Sequence, residues 1–141
     1  MPLGDPIHLG VARVGLPQVA LAQDNLVVAR VWLDQSLATW REHGVPHMIV
    51  LVLQEFAALA AAQGDAARAL RLASAAEAVL EKRGLPRPPM WQAFLQRWLA
   101  PARQALSEAE QAAAWAAGHA MSVEQAIREA QEMPAPGAGA Q

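Results

Sequence analysis

The sequence predicts an all-α protein, a solenoid of antiparallel helix pairs with about seven helices and a C-terminal helical cap. Three observations carry that expectation. Alanine dominates a chain that is 54% hydrophobic and only 17% charged, and Ala has the highest intrinsic helix propensity. Helix stop signals recur along the chain. The segment "LAQDNLVVARVWLDQSLATWREHGVP", Leu21 to Pro46, returns 40 residues later as "AAQGDAARALRLASAAEAVLEKRGLP", Ala61 to Pro86.

The repeat is carried by helix punctuation. Between position n and n+40, Ala20/Ala60, Ala22/Ala62, Gln23/Gln63, Ala29/Ala69, Ala38/Ala78, Gly44/Gly84 and Pro46/Pro86 are identical. Asn25 and Asp65 are good N-caps, because a side-chain oxygen can accept from an otherwise unpaired backbone N–H of the first turn. Gly44 and Gly84 sit where a helix ends in a left-handed residue. Pro46 and Pro86 follow, where the helix cannot continue.

The elements follow in order. A first helix is expected over Leu9 to Ala22, interrupted by Pro17. Asn25 to Gly44 bounds the second. Pro46 opens a third that runs to Ala62, and Asp65 to Gly84 bounds the fourth. Pro88 and Pro89 open a fifth to about Leu106, with a kink near Pro101. Ser107 with Glu110, and Ser122 with Gln125, are capping boxes for two short helices ending near Gly118 and Gln131. The organisation expected is an N-terminal extension (1–8), a repeat domain (9–131) and a disordered tail (132–141). The repeat domain divides into units 9–45 and 46–86 and a cap 87–131. Ala29 and Ala69 should occupy equivalent close-packed positions. Leu9, Val11, Val14, Leu16 and Val19 should leave an apolar patch at the array's uncovered end, open to self-association. Trp115 should anchor the cap by burying against the helix of Trp91 and Trp98.

Bulk properties exclude several function classes. A net charge of −2 provides no basic field for direct nucleic-acid binding. The chain has no cysteine, so disulfides and thiolate metal sites are excluded and a reducing compartment fits. The start "MPLGDPIHLG" lacks a basic region followed by an apolar run, so no secretory signal is expected. The longest apolar run, Met48 to Leu53, is 6 residues, against the roughly 20 that span a bilayer. A cytoplasmic protein without membrane association is expected.

No catalytic, metal or cofactor site is expected. No G-x-S-x-G elbow and no H-E-x-x-H pair occurs. A P-loop needs Lys followed by Ser or Thr, and the single lysine, Lys82, precedes Arg83. His43 and His47 are four apart beside Glu42, but Gly44 and Pro46 end the helix between them, which favours structural or solvated histidines over a metal site. The candidate binding groove comprises Trp32, Trp40, Arg68, Arg71, Trp91 and Trp98. Its tryptophans lie on helical stripes, where core packing is the commoner role. Its arginines could recognise an acidic peptide or a phosphate, or could pair within the repeats.

"ALAQDNLVVARVWLDQSLATWREHG" and "LAAAQGDAARALRLASAAEAVLEKRGLPRPP" resemble tetratricopeptide-type units. More specifically, they resemble those at the C-terminal end of bacterial LuxR-type (MalT-like) regulators and related predicted ATPases. "SEAEQAAAWAAGHAMSVEQAIREA" is similar to the closing segment of such arrays. The Asp24-Asn25 pair departs from the usual Gly-Asp turn. The resemblance implies the C-terminal piece of a larger regulator, or a short protein derived from one, without the ATPase or DNA-binding module. It implies a scaffold contacting a protein partner or other domains of the regulator. The alternative is a sensor holding a small-molecule inducer in an aromatic-lined groove.

Overall fold

The computed structural model describes residues 16–136. Within them lie seven α-helices and no strand: α1 (Leu16–Ala22), α2 (Leu26–His43), α3 (Pro46–Ala62), α4 (Ala66–Arg83), α5 (Pro89–Gln104), α6 (Glu108–His119) and α7 (Val123–Gln131). None is long and apolar enough to cross a membrane. The expected extension (1–8), the residues before Leu16, Leu9, Val11 and Val14 among them, and the end of the tail (137–141) lie outside the described residues.

The 40-residue repeat is realised bond for bond in the backbone. The Asn25 N–H donates to Ala20 O at 2.8 Å, and Asp65 to Ala60 O at 2.9 Å. Ala29 donates to Asn25 O and Ala69 to Asp65 O, both at 3.0 Å. Val45 closes on Trp40 O, and Leu85 on Leu80 O. Asn25 and Asp65 cap their helices through side-chain oxygens that accept from Val28 and Arg68 N–H. Gly44 and Gly84 end α2 and α4 with φ of 62° and 60°. Ala29 and Ala69 are both fully buried. Pro17 does not interrupt a helix among the described residues; it lies in the first turn of α1, where a missing N–H leaves no bond unmade.

Helix α3 is the centre. It packs against α1, α2, α4, α5 and α7, and every residue from Leu51 to Ala60 is buried. A helix apolar nearly all round has no solvent face to offer, so it becomes the core element. Helix α4 packs on α3, α5, α6 and α7. Its small residues Ala66, Ala69, Ala73 and Ala76 are all buried, and they let neighbouring backbones approach.

The register shifts after Pro86. Helix α5 starts at Pro89 and runs unbroken past Pro101. The α6 helix lies mainly on α4. Gly118 meets the Arg71 backbone, where an added Cβ would overlap the Arg71 carbonyl. One turn earlier, Ser74 Oγ donates to Trp115 O at 2.6 Å. Trp115 packs partly against the core. It is half-buried and lines a shallow recess with Leu70, Arg103, Gln111 and Ala112. The close approach at Gly118 draws α6 onto α4 rather than onto the Trp91–Trp98 helix. Both capping boxes, at Ser107 and Ser122, are formed.

Candidate functional site

The richest polar constellation gathers around α7. Four arginines from α2 and α4 converge on this short helix and the residues just beyond it. From α2, the Arg30 guanidinium donates to Met133 O at 2.8 Å and to Gln131 O at 3.1 Å. Asp34 holds its Nε at 3.0 Å, and the Phe56 ring lies beneath it, 5.7 Å from centroid to guanidinium. Arg41, near the other end of α2, pairs with Glu124 at 2.7 Å.

From α4, Arg68 donates to Glu129 O at 3.3 Å and lies 3.2 Å from the Asp65 carboxylate. Arg71 Nε donates to Glu129 Oε1 at 2.6 Å. Arg68 and Arg71 are three apart in the first turns of α4, so they share a face. Gln63, at the end of α3, reaches Pro134 O at 3.3 Å. The apolar side of α7 is small: Ala126, Ile127, Ala130 and the following Met133 are buried. The whole is a groove between α2 and α4, floored by α3 and occupied by an acidic amphipathic helix.

The sequence-based candidates divide. Arg68 and Arg71 come together at Glu129. Trp40 is 1% exposed, and its indole N–H is buried without a hydrogen-bond partner. It is part of the core. Trp32, on α2, is half-buried. Trp91 and Trp98 are half-buried on α5, packed against the core, away from the contacts of Arg68 and Arg71. An open cleft of about 760 Å³ runs between Asp24–Val27, Gln63–Asp65 and Met133–Pro136, with no tryptophan in its lining.

Arg30, Arg41, Glu124 and Glu129 were not among the candidates. The 40-residue repeat offered no signal, because Arg30 aligns with Leu70 and Arg41 with Glu81. The amphipathic "VEQAIREA" was a partial one. His43 Nδ1 lies 2.8 Å from Thr39 O within its own helix, and His47 is exposed beyond the Gly44 stop. Among the described residues, no three His, Cys, Asp or Glu side chains gather to hold a metal ion.

One further polar group is buried. Glu55, in the middle of α3, is 1% exposed and accepts from Gln18 Nε2 of α1 at 3.1 Å. Burial pushes its pKa up to about 8, against the lowering effect of the Gln18 bond. No cavity among those described opens onto it. Comparison with protein-family models, characterised proteins and solved structures finds no match.

Proposed function

We propose that this chain is a non-catalytic helical-repeat scaffold that binds protein segments, the C-terminal part of a bacterial transcriptional or signalling regulator. The observation that carries the reading is the groove between α2 and α4. It already holds a helix, by the side-chain chemistry one protein uses to hold another: guanidinium to carboxylate, guanidinium to free helix carbonyls, and a small apolar seam. The backbone-exact repeat of turns and caps supports a tetratricopeptide-type array. The resemblance to LuxR-type regulators supplies the cellular setting of the proposal, with other domains of such a regulator, or a separate protein, as the partner. The apolar residues exposed on α1 and α2, including Val19 and Val27 at 53% and 58%, support a second contact, self-association through that end.

Affinity capture with the full chain, followed by reconstitution from purified components, tests the reading. The expected result is a stoichiometric protein complex. No protein retained, together with a marked rise in melting temperature on adding one member of a small-molecule panel, would replace the scaffold with the inducer-sensor reading.

A further inference from the structure

We propose that the groove between α2 and α4 is a receptor for acidic amphipathic helices, and that α7 is its occupant in cis, exchangeable for such a helix from a partner protein. The inference rests on the scaffold reading and deepens it by naming the kind of partner.

The contacts that hold α7 are mostly not particular to its sequence. Arg30 and Arg68 bind the carbonyls of Glu129, Gln131 and Met133. Glu129 and Gln131 lie in the last turn, where every α-helix leaves carbonyls without an internal partner, and Met133 is two residues beyond it. Guanidinium groups placed there also complement the negative end of the helix dipole. Gln63 adds a bond to Pro134 O beyond the helix, and the side-chain contacts need only two carboxylates five residues apart, Glu124 and Glu129. Any helix with that acid spacing and a narrow apolar stripe presents the same pattern.

Half of the receptor is held in place without α7. Asp34 and the Phe56 ring orient Arg30, and Asp65 orients Arg68. The three orienting residues belong to α2, α3 and the turn before α4. The α6 helix keeps its own attachment to α4 through Gly118 and Ser74. Undocking α7 therefore leaves the rest of the packing in place.

The occupant is short. At 9 residues, α7 is shorter than helices that persist alone in water, so its order depends on docking. Elements with few buried contacts open locally without global unfolding. The short link 120–122 keeps its effective concentration high, so a competing helix succeeds only when it binds better than α7 itself.

The test uses the full chain and a fluorescent peptide of residues 120–136 as the probe. In Ile127→Asp, which undocks the resident helix, the peptide should bind with micromolar affinity. Wild type should bind it on the order of a thousandfold more weakly, the ratio of a millimolar effective concentration to a micromolar dissociation constant. Peptides carrying Glu124→Lys and Glu129→Lys should lose binding. In wild type, amide exchange over 123–131 should be much faster than over α3, and should accelerate further when peptide is added. A folded Ile127→Asp chain that does not bind, or α7 amides as protected as those of α3, would overturn the proposal. So would equal displacement by a short DNA duplex, because the arginines would then be reading charge alone. Should Ile127→Asp not fold, the wild-type exchange measurement decides by itself. A permanently docked α7 leaves the scaffold reading standing, since partner capture can proceed through other faces.

Discussion

Asp24 and Gly64 occupy equivalent places in the two turns, and both have positive φ, 57° and 83°. This explains how Asp24-Asn25 replaces a Gly-Asp turn. Aspartate tolerates the left-handed region better than most residues, while glycine enters it freely. A Cβ at Gly64 meets nothing within 4 Å, so substitution there isolates the backbone term. Gly64→Ala should destabilise by about 1 kcal/mol, and Asp24→Gly should be neutral or slightly stabilising. Urea denaturation of both variants checks the pair. Equal losses in both would mean that the two turns are not equivalent. The alanines between the turns respond to volume instead. Ala69 is fully buried, so Ala69→Leu should cost about 1–3 kcal/mol by overpacking, read as a lowered melting temperature.

At the scale of elements, what the sequence reveals divides by range. Helix ends were legible because their causes are local: a cap three residues from its acceptor, a glycine at a left-handed stop, a proline in a first turn. The second through fourth helices fall within a residue or two of their sequence-derived limits. Which helix touches which was less legible. Trp115 looked like an anchor for α5 because aromatic residues dominate core energetics, yet the deciding residue is Gly118. Its missing side chain allows α6 to lie directly on α4, and a glycine near a helix end reads locally as a stop signal. The arginine groove was half legible. Arg68 and Arg71 stood out as a pair, but Arg30 is 101 and 103 residues from the carbonyls it binds, and no local pattern encodes that separation. Gly118→Ala should force α6 off α4, costing about 1–3 kcal/mol. The loss should be seen in denaturation and in deprotected amides over 108–119, with α1 and α2 least affected. Unchanged stability would mean that the two helices are not in backbone contact.

For the whole molecule, the most consequential titrating group is Glu55, because it sits inside α3, against which five other helices pack. Nothing in the sequence singled it out. The signal available was its place in "PHMIVLVLQEFAALAAA", a helix apolar on all sides, where even a carboxyl is carried into the core. Desolvation raises its pKa from the ordinary 4.5 to about 8, with the Gln18 bond opposing. The folded state thus holds a proton that the unfolded state releases above about 4.5. Below that pH both states are protonated and Glu55 costs nothing through ionisation. Between the two values the unfolded chain binds fewer protons, so stability falls as pH rises, by about 1.4 kcal/mol per unit at most. Above about 8 both states are ionised and the loss levels off. A domain of this size has a total stability of only about 7–20 kcal/mol, so the loss is a substantial share of it. Denaturation midpoints should therefore decline from pH 5 to pH 8. Glu55→Gln keeps the shape and a hydrogen-bonding partner for Gln18 but cannot ionise. Its midpoint should stay nearly flat over the same range, near wild type at pH 5 and well above it at pH 8. A wild-type profile as flat as the variant's would mean that Glu55 reaches water, and that α1 does not seal that side of α3.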